Sequence, residues 1–233
     1  MGRPTRRDVS RPSREGYAYK KEFYRRPEVA EDYDHHRWGS PALQRRNRRK
    51  WAAIRTALAG AEGVVTVLDL PCGTGRFTGS LAREGYRVVG GDISFEMMRK
   101  ALEAPDGRRE GVLGYVQADA ERLPFAEAAV DCVMSIRFLF HVDPETRVRI
   151  LREMKRVSRR WLVLDYRHRY TWRWAKWTAL RRLGLSRREM PRVSRAELHG
   201  ELAAAGLVAR RVVRVGTPLF SDKWVVLVEP RGA

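Results

Sequence analysis

The sequence predicts an α/β domain, a mostly parallel sheet covered by helices on both faces. Three observations predict it. From residue 64 onward, apolar runs of strand length alternate with amphipathic stretches of helix length. The first of those runs opens into a turn bearing Gly73 and Gly75, and a helical pattern follows at once. The chain then closes on two strand-like segments with no helix between them, which predicts an antiparallel C-terminal pair.

Residues 1–26 hold many Arg and Ser and few aliphatics, and are expected to form a flexible basic tail. The folded domain is expected to span 27–233. Within it, 27–60 form N-terminal cap helices, the second running from about 41 to 60 through Leu43, Trp51, Ile54 and Leu58. Strands follow at 64–70, 86–93, 111–119, 129–136 and 161–167, with helices after the Gly turn, at 95–104 and at 144–157. Residues 168–193 read as a basic, Trp-rich insertion. A helix over 194–206 takes Ser194 as N-cap and Gly206 as its stop. ARRVVRVG and KWVVLVE complete seven strands.

The net charge is +19, and its distribution is uneven. Residues 1–60 carry 16 Lys/Arg against 7 Asp/Glu, and residues 165–215 carry 13 against 4. Residues 61–164 are close to neutral, at 16 against 15. Two basic flanks around a neutral middle predict a polyanion or an anionic substrate met through the flanks. The longest apolar runs fall short of a membrane span, and the basic N-terminus lacks the apolar stretch of a secretory signal, so the protein is read as cytoplasmic. Cys72 and Cys132 fall beside strands and are expected as buried thiols without a disulfide. The His35–His36 pair is too isolated to hold a metal, and none is expected.

The chemistry-bearing signal is an ordered set. Val67-Leu68-Asp69-Leu70-Pro71-Cys72-Gly73-Thr74-Gly75 runs from strand into turn, with an acidic residue before it. The second strand ends at Asp92, which suits the hydroxyls of a ribose. The third ends at Asp119-Ala120. Counted from Gly73 and Gly75 the third glycine of a dinucleotide fingerprint would fall on Thr78, a register starting two residues earlier would open on Pro71, and no phosphate-loop G-K-[ST] is present, so nicotinamide and P-loop sites are excluded. An acid before the turn would repel a pyrophosphate and suits a cationic amino-acid moiety.

Through LDLPCGTGRF, VVGGDIS, QADAERLPF and VDCVMSIRFLFHV, residues 65–145 resemble the class I S-adenosylmethionine-dependent methyltransferases, type-11 group, which includes the quinone-biosynthesis C-methyltransferases. The resemblance implies a Rossmann-like, seven-stranded sheet and S-adenosyl-L-methionine as cofactor. It implies that Asp69, Gly73 and Gly75 hold the methionine end, Asp92 the ribose and Ile93 the adenine face, while Asp119 and Ala120 meet the adenine edge. Glu31–Trp38 resembles the N-terminal cap of such enzymes, in which Tyr33 would close the pocket.

The acceptor is expected beside the end of the fourth strand. There His141 is the candidate base and Arg137 the candidate clamp for an acidic group. A second acceptor-side set, Asp165, Tyr166 and His168, follows the fifth strand. On the helix beyond, Trp174 and Trp177 share a side flanked by Arg173, Lys176 and Arg181, a pattern suited to a lid helix whose tryptophans pack onto the domain, to an anionic membrane surface or to stacked bases. No N/D-P-P-Y/F follows the fourth strand, which disfavours planar-amine methylation. No cysteine stands there either, which disfavours covalent attack on pyrimidine C5. The expected function is methyl transfer to a small or lipid-linked, anionic acceptor, with peripheral membrane contact. The alternatives are an RNA or ribosome methyltransferase that uses the basic flanks, and a non-catalytic binding subunit on the same fold.

Overall fold

The computed structural model describes residues 17–31, 40–185, 192–217 and 221–232, apart from the Arg173 side chain. Seven strands form one sheet: β1 (Thr66–Asp69), β2 (Arg87–Asp92), β3 (Val112–Gln117), β4 (Val130–Ser135), β5 (Ser158–Arg167), β6 (Leu207–Arg214) and β7 (Lys223–Pro230). Their order is β3-β2-β1-β4-β5-β7-β6. β1 to β5 run parallel, and β7 runs antiparallel to both β5 and β6. The predicted sheet and its antiparallel C-terminal pair are therefore present.

The helices with both ends among the described residues include α1 (Tyr17–Arg25), α2 (Pro41–Leu58), α3 (Arg76–Arg83), α4 (Phe95–Glu103), α5 (Pro144–Val157), α6 (Trp172–Arg182) and α7 (Arg195–Ala204). Local chemistry sets their ends. Ser40 caps α2 by accepting from the Leu43 amide, and Asp143 caps α5 by accepting from Thr146. Ser194 closes a capping box with Glu197, as its spacing from the apolar run predicts.

The two-residue period of the strands divides the core between two faces. Leu68, Val133, Leu162, Leu164, Tyr166, Trp224 and Val226 pack with α5 and α7 on one face. Val67, Cys132, Met134, Trp161, Val163, Val225 and Leu227 pack with α2 and α3 on the other. Cys72 and Cys132 are buried free thiols.

One segment departs from expectation. Residues 17–25, read above as part of a flexible tail, form α1, and Phe23 is buried against Val29, Ala30 and Met97. Four aromatics, Tyr17, Tyr19, Phe23 and Tyr24, supply the apolar area that the count of aliphatics overlooked. Tyr33 and the rest of 32–39, and residues 1–16, lie outside the described residues. Among the described residues, no helix is long and apolar enough to cross a membrane.

Candidate active site

Strand order reverses between β1 and β4, and in parallel sheets a crevice opens outside the carboxyl ends at such a point. The cleft found there is walled by the turn after β1 (Pro71, Cys72, Gly73, Thr74), the end of β2 (Asp92, Ile93) and Met97 of α4. The end of β4 adds Ile136, Arg137 and Phe138, and the short 3-10 turn Leu139–His141 adds Phe140 and His141. Asp165 and Arg167 of β5 and Lys223 of β7 close the far side. Tyr17, Lys20, Lys21 and Tyr24 of α1 and Arg46, Asn47 and Lys50 of α2 complete the wall.

The residues expected to hold the cofactor separate into two groups. Asp92, Gly73 and Ile93 line the cleft. The Asp92 carboxylate accepts from the Gly73 amide at 2.8 Å and from the Ser94 amide at 2.9 Å, which holds the turn and β2 at one spacing. Burial pushes that carboxyl up to about 6, against the pull of those donors. Asp69, Gly75, Asp119 and Ala120 are absent from the wall. Asp69 points to α3, where it accepts from the Thr78 hydroxyl at 2.8 Å, and burial pushes it up to about 7. Gly75 has φ +74, and a Cβ there would stand 2.8 Å from the Ala101 Cβ, so this glycine is required by the approach of α4. Asp119 is ion-paired to Lys21 at 2.6 Å, and Ala120 is buried in the core. The motif is thus half wall and half scaffold.

Of the residues expected around the acceptor, Arg137, His141 and Asp165 come together in the cleft. Arg137 adopts φ +66, a left-handed conformation uncommon for a non-glycine residue, and its amide donates to Asp165 Oδ1 at 2.6 Å. The other Asp165 oxygen is ion-paired with Lys50, and both residues are buried. The His141 ring lies 4.5 Å from that of Phe140, and its carbonyl accepts from Lys20 Nζ at 2.6 Å. Tyr166 and His168 correct the expectation. Strand alternation sends Asp165 and Arg167 to the cleft face, and turns Tyr166 into the opposite core and His168 flat against Trp224, at 4.3 Å and 5°. Trp174 and Trp177 also lie outside the wall, with Trp174 edge-on to Tyr170 at 5.5 Å.

Five residues that sequence reasoning passed over decide the character of the cleft. Among the described residues, eight Lys and Arg side chains line it against two carboxylates, Asp92 and Asp165. Burial, then the charges of Lys50, Arg46 and Arg167, bring the Lys223 ammonium down to about 7. Burial likewise lowers Arg167 to about 10, and its guanidinium lies 4.2 Å from the centre of the Phe140 ring. Lys21 bridges α1 to Asp119 and Glu121. The aromatic pattern of α1 could have flagged that helix. Nothing local marks Arg46, Lys50 or Lys223, which stand among many other basic residues.

The family model described as a methyltransferase domain matches residues 68–161. A demethylmenaquinone methyltransferase of Thermobifida fusca is 33% identical over 126 residues, covering 52% of this chain and 51% of that protein. A ubiquinone/menaquinone biosynthesis C-methyltransferase of Klebsiella pneumoniae is 35% identical over 125 residues, covering 51% of this chain and 49% of the other. The chain therefore spans about half the length of the curated relatives it matches. Among solved structures, magnesium protoporphyrin IX methyltransferase from Synechocystis PCC 6803 superposes with a TM-score of 0.59 at 16% identity, over 96% of this chain and 91% of that one. The PH0226 protein from Pyrococcus horikoshii OT3 gives 0.62 at 21% identity, over 79% and 91%. These likenesses establish a shared fold.

Proposed function

We propose that the chain, whose residues 68–161 match the model of a methyltransferase domain, transfers a methyl group from S-adenosyl-L-methionine to a small or lipid-linked acceptor that carries negative charge. The observation that carries this reading is one cleft that joins Gly73, Asp92 and Ile93 to Arg137, His141 and Asp165. The donor set fits the cofactor: a buried carboxylate suits ribose hydroxyls, and Ile93 and Met97 offer apolar surface to an adenine. When bound, the cofactor supplies an electrophilic methyl group on a sulfonium.

The chain's own residues then position and exclude. Methyl transfer is an in-line displacement, so alignment of the acceptor atom supplies much of the rate. The left-handed Arg137, pinned by Asp165, holds the loop after β4 in one conformation, the kind of backbone strain that gathers at sites. His141 takes the proton where the acceptor atom carries one. Tyr17 and Tyr24 of α1 cover the cleft and keep water from it.

Support for a lipid-linked acceptor comes from Tyr170, Trp172, Leu183 and Leu185, which are 69–72% exposed beside Lys176, Arg181 and Arg182. Apolar tips among cations suit an anionic interface. The test of the whole reading is to identify, by mass spectrometry, the small molecule retained by the purified protein. Transfer of an isotopically labelled methyl group to that molecule is the expected result, and retention of a nucleotide-type ligand without transfer would overturn it.

A further inference from the structure

Helix α1 turns one stripe of side chains to the cleft. Tyr17, Lys20, Lys21 and Tyr24 all line it, and their spacing by three and four residues sets them along a single helix face. Ala18, Glu22 and Arg25, on the outer face, are exposed. The helix is tied to both sides of the cleft mouth. On one side, Lys21 is ion-paired to Asp119 at 2.6 Å and to Glu121, just beyond β3. On the other, beyond β4, Lys20 donates to the His141 carbonyl at 2.6 Å, and the Tyr17 ring lies 6.0 Å from that of Phe138. In the sheet, β2 and β1 lie between β3 and β4. Helix α1 therefore crosses the carboxyl ends of β2 and β1, where Asp92 and Gly73 stand in the same wall.

We propose that Tyr17 completes the cofactor site by donating its phenol hydroxyl to the ribose diol whose protons Asp92 accepts. The inference rests on the methyltransferase reading and adds a residue that positions the cofactor. An ionised carboxylate can only accept, and Asp92 already takes donors from the Gly73 and Ser94 amides. Ribose oxygens that donate to it still need a donor of their own, and a phenol in the same cleft offers one. Burial, and after it the carboxylates of Asp119, Glu121, Asp92 and Asp143, push the Tyr17 titration above its ordinary range. The hydroxyl thus keeps its proton and remains a donor.

The ring is held before any ligand arrives, by Phe138 and by the Lys21 ammonium 4.8 Å from its centre. A donor fixed in this way loses less freedom on binding than a mobile one. Because Tyr17 belongs to α1, the helix that covers the cleft is also the element that reads the sugar. A deoxyribose would leave that donor unmatched.

The experiment is calorimetric titration of the full chain and of Tyr17→Phe with S-adenosylhomocysteine and with its 2′-deoxy and 3′-deoxy derivatives. The variant keeps the ring and removes the hydroxyl alone. Tyr17→Phe should weaken S-adenosylhomocysteine about three- to tenfold. That loss should vanish for the derivative lacking the oxygen that Tyr17 meets, and persist for the other. Amide exchange over residues 17–25 should be the same in both proteins. Equal affinity of the two proteins for S-adenosylhomocysteine overturns the proposal. An equal loss for all three ligands also overturns it, by placing the effect of the hydroxyl outside the ribose. Faster exchange in Tyr17→Phe does the same, by assigning the loss to a looser α1. Failure of the parent to bind S-adenosylhomocysteine would bring down the methyltransferase reading and this proposal with it, and is seen separately in the first titration.

Discussion

Lys50 and Asp165, 115 residues apart in sequence, form a buried ion pair that joins α2 to the end of β5. The pair fixes the back of the cleft, because the second Asp165 oxygen holds the Arg137 amide and with it the loop after β4. Burial lowers the Lys50 ammonium from its ordinary range, and the Asp165 carboxylate works against that shift. Removing the carboxylate would therefore leave that burial unopposed.

Asp165→Asn should accordingly cost about 3–5 kcal/mol of unfolding free energy, since it leaves a buried ammonium without its counter-charge. The double variant Lys50→Met with Asp165→Asn keeps a carbonyl acceptor for the Arg137 amide and should recover most of that loss. Urea denaturation of the three proteins checks it. A single variant as stable as the parent would show that the pair is not buried in solution.

Asp92 joins the turn after β1 to the end of β2 and faces the cleft. Asp92→Ala should leave the Gly73 and Ser94 amides unsatisfied, at about 1–3 kcal/mol each. The same change should weaken S-adenosylhomocysteine at least tenfold. Calorimetry reads the affinity and thermal unfolding reads the stability. Undiminished affinity would move the ribose away from this residue.

Asp69 gives the protein a pH dependence. Burial lifts its carboxyl to about 7, above the value of about 3.9 in an unfolded chain, so the fold favours the protonated form. The stability this contributes is full below about pH 4 and is lost as pH rises through about 7. Asp92, lifted to about 6, adds to the same decline over a slightly lower window. Asp69→Asn keeps a neutral acceptor for Thr78 and should flatten the fall, raising the urea midpoint at pH 8 relative to the parent while changing little at pH 4. Parallel curves for the two proteins would contradict the shift.

Lys21 anchors α1 over the cleft through Asp119 and Glu121. The three side chains are part-exposed, so the anchor is worth on the order of 1 kcal/mol. Lys21→Glu should loosen α1 and leave the sheet intact. Amide exchange over residues 17–25 should accelerate while global unfolding barely moves, and S-adenosylhomocysteine should dissociate faster. Unaltered exchange in α1 would show that Phe23 and Tyr17 hold the helix without the ion pairs.

The segment at α6 separates two kinds of acceptor. Reversal of Arg173, Lys176 and Arg181 to Glu together should abolish flotation with anionic liposomes, since each cation near such a surface contributes about 1 kcal/mol. Binding of S-adenosylhomocysteine should be unchanged. Salt-sensitive RNA binding that ignores lipid would favour the nucleic-acid alternative instead.

The sequence by itself determined the sheet and the half of the cleft built from the turn after β1 and the end of β2. Each strand carries its own apolar run, and Gly73, Asp92 and Ile93 follow strand ends directly, so their position in the fold is a property of a few consecutive residues. Local pattern also explains its own limits. Period two in β5 was enough to place Tyr166 opposite Asp165, but the choice of face depended on which helices cover it, and the sequence carried no sign of that. The cationic half was decided by tertiary structure alone. Arg46 and Lys50 come from α2, Arg167 from β5 and Lys223 from β7, and they meet because β7 inserts between β5 and β6 while α2 crosses the face that Val163 and Val225 share. In a chain with 47 Lys and Arg, electrostatics distinguishes these four only after folding has set them along one cleft, with Lys50 buried, Arg167 and Lys223 part-buried and Arg46 still exposed.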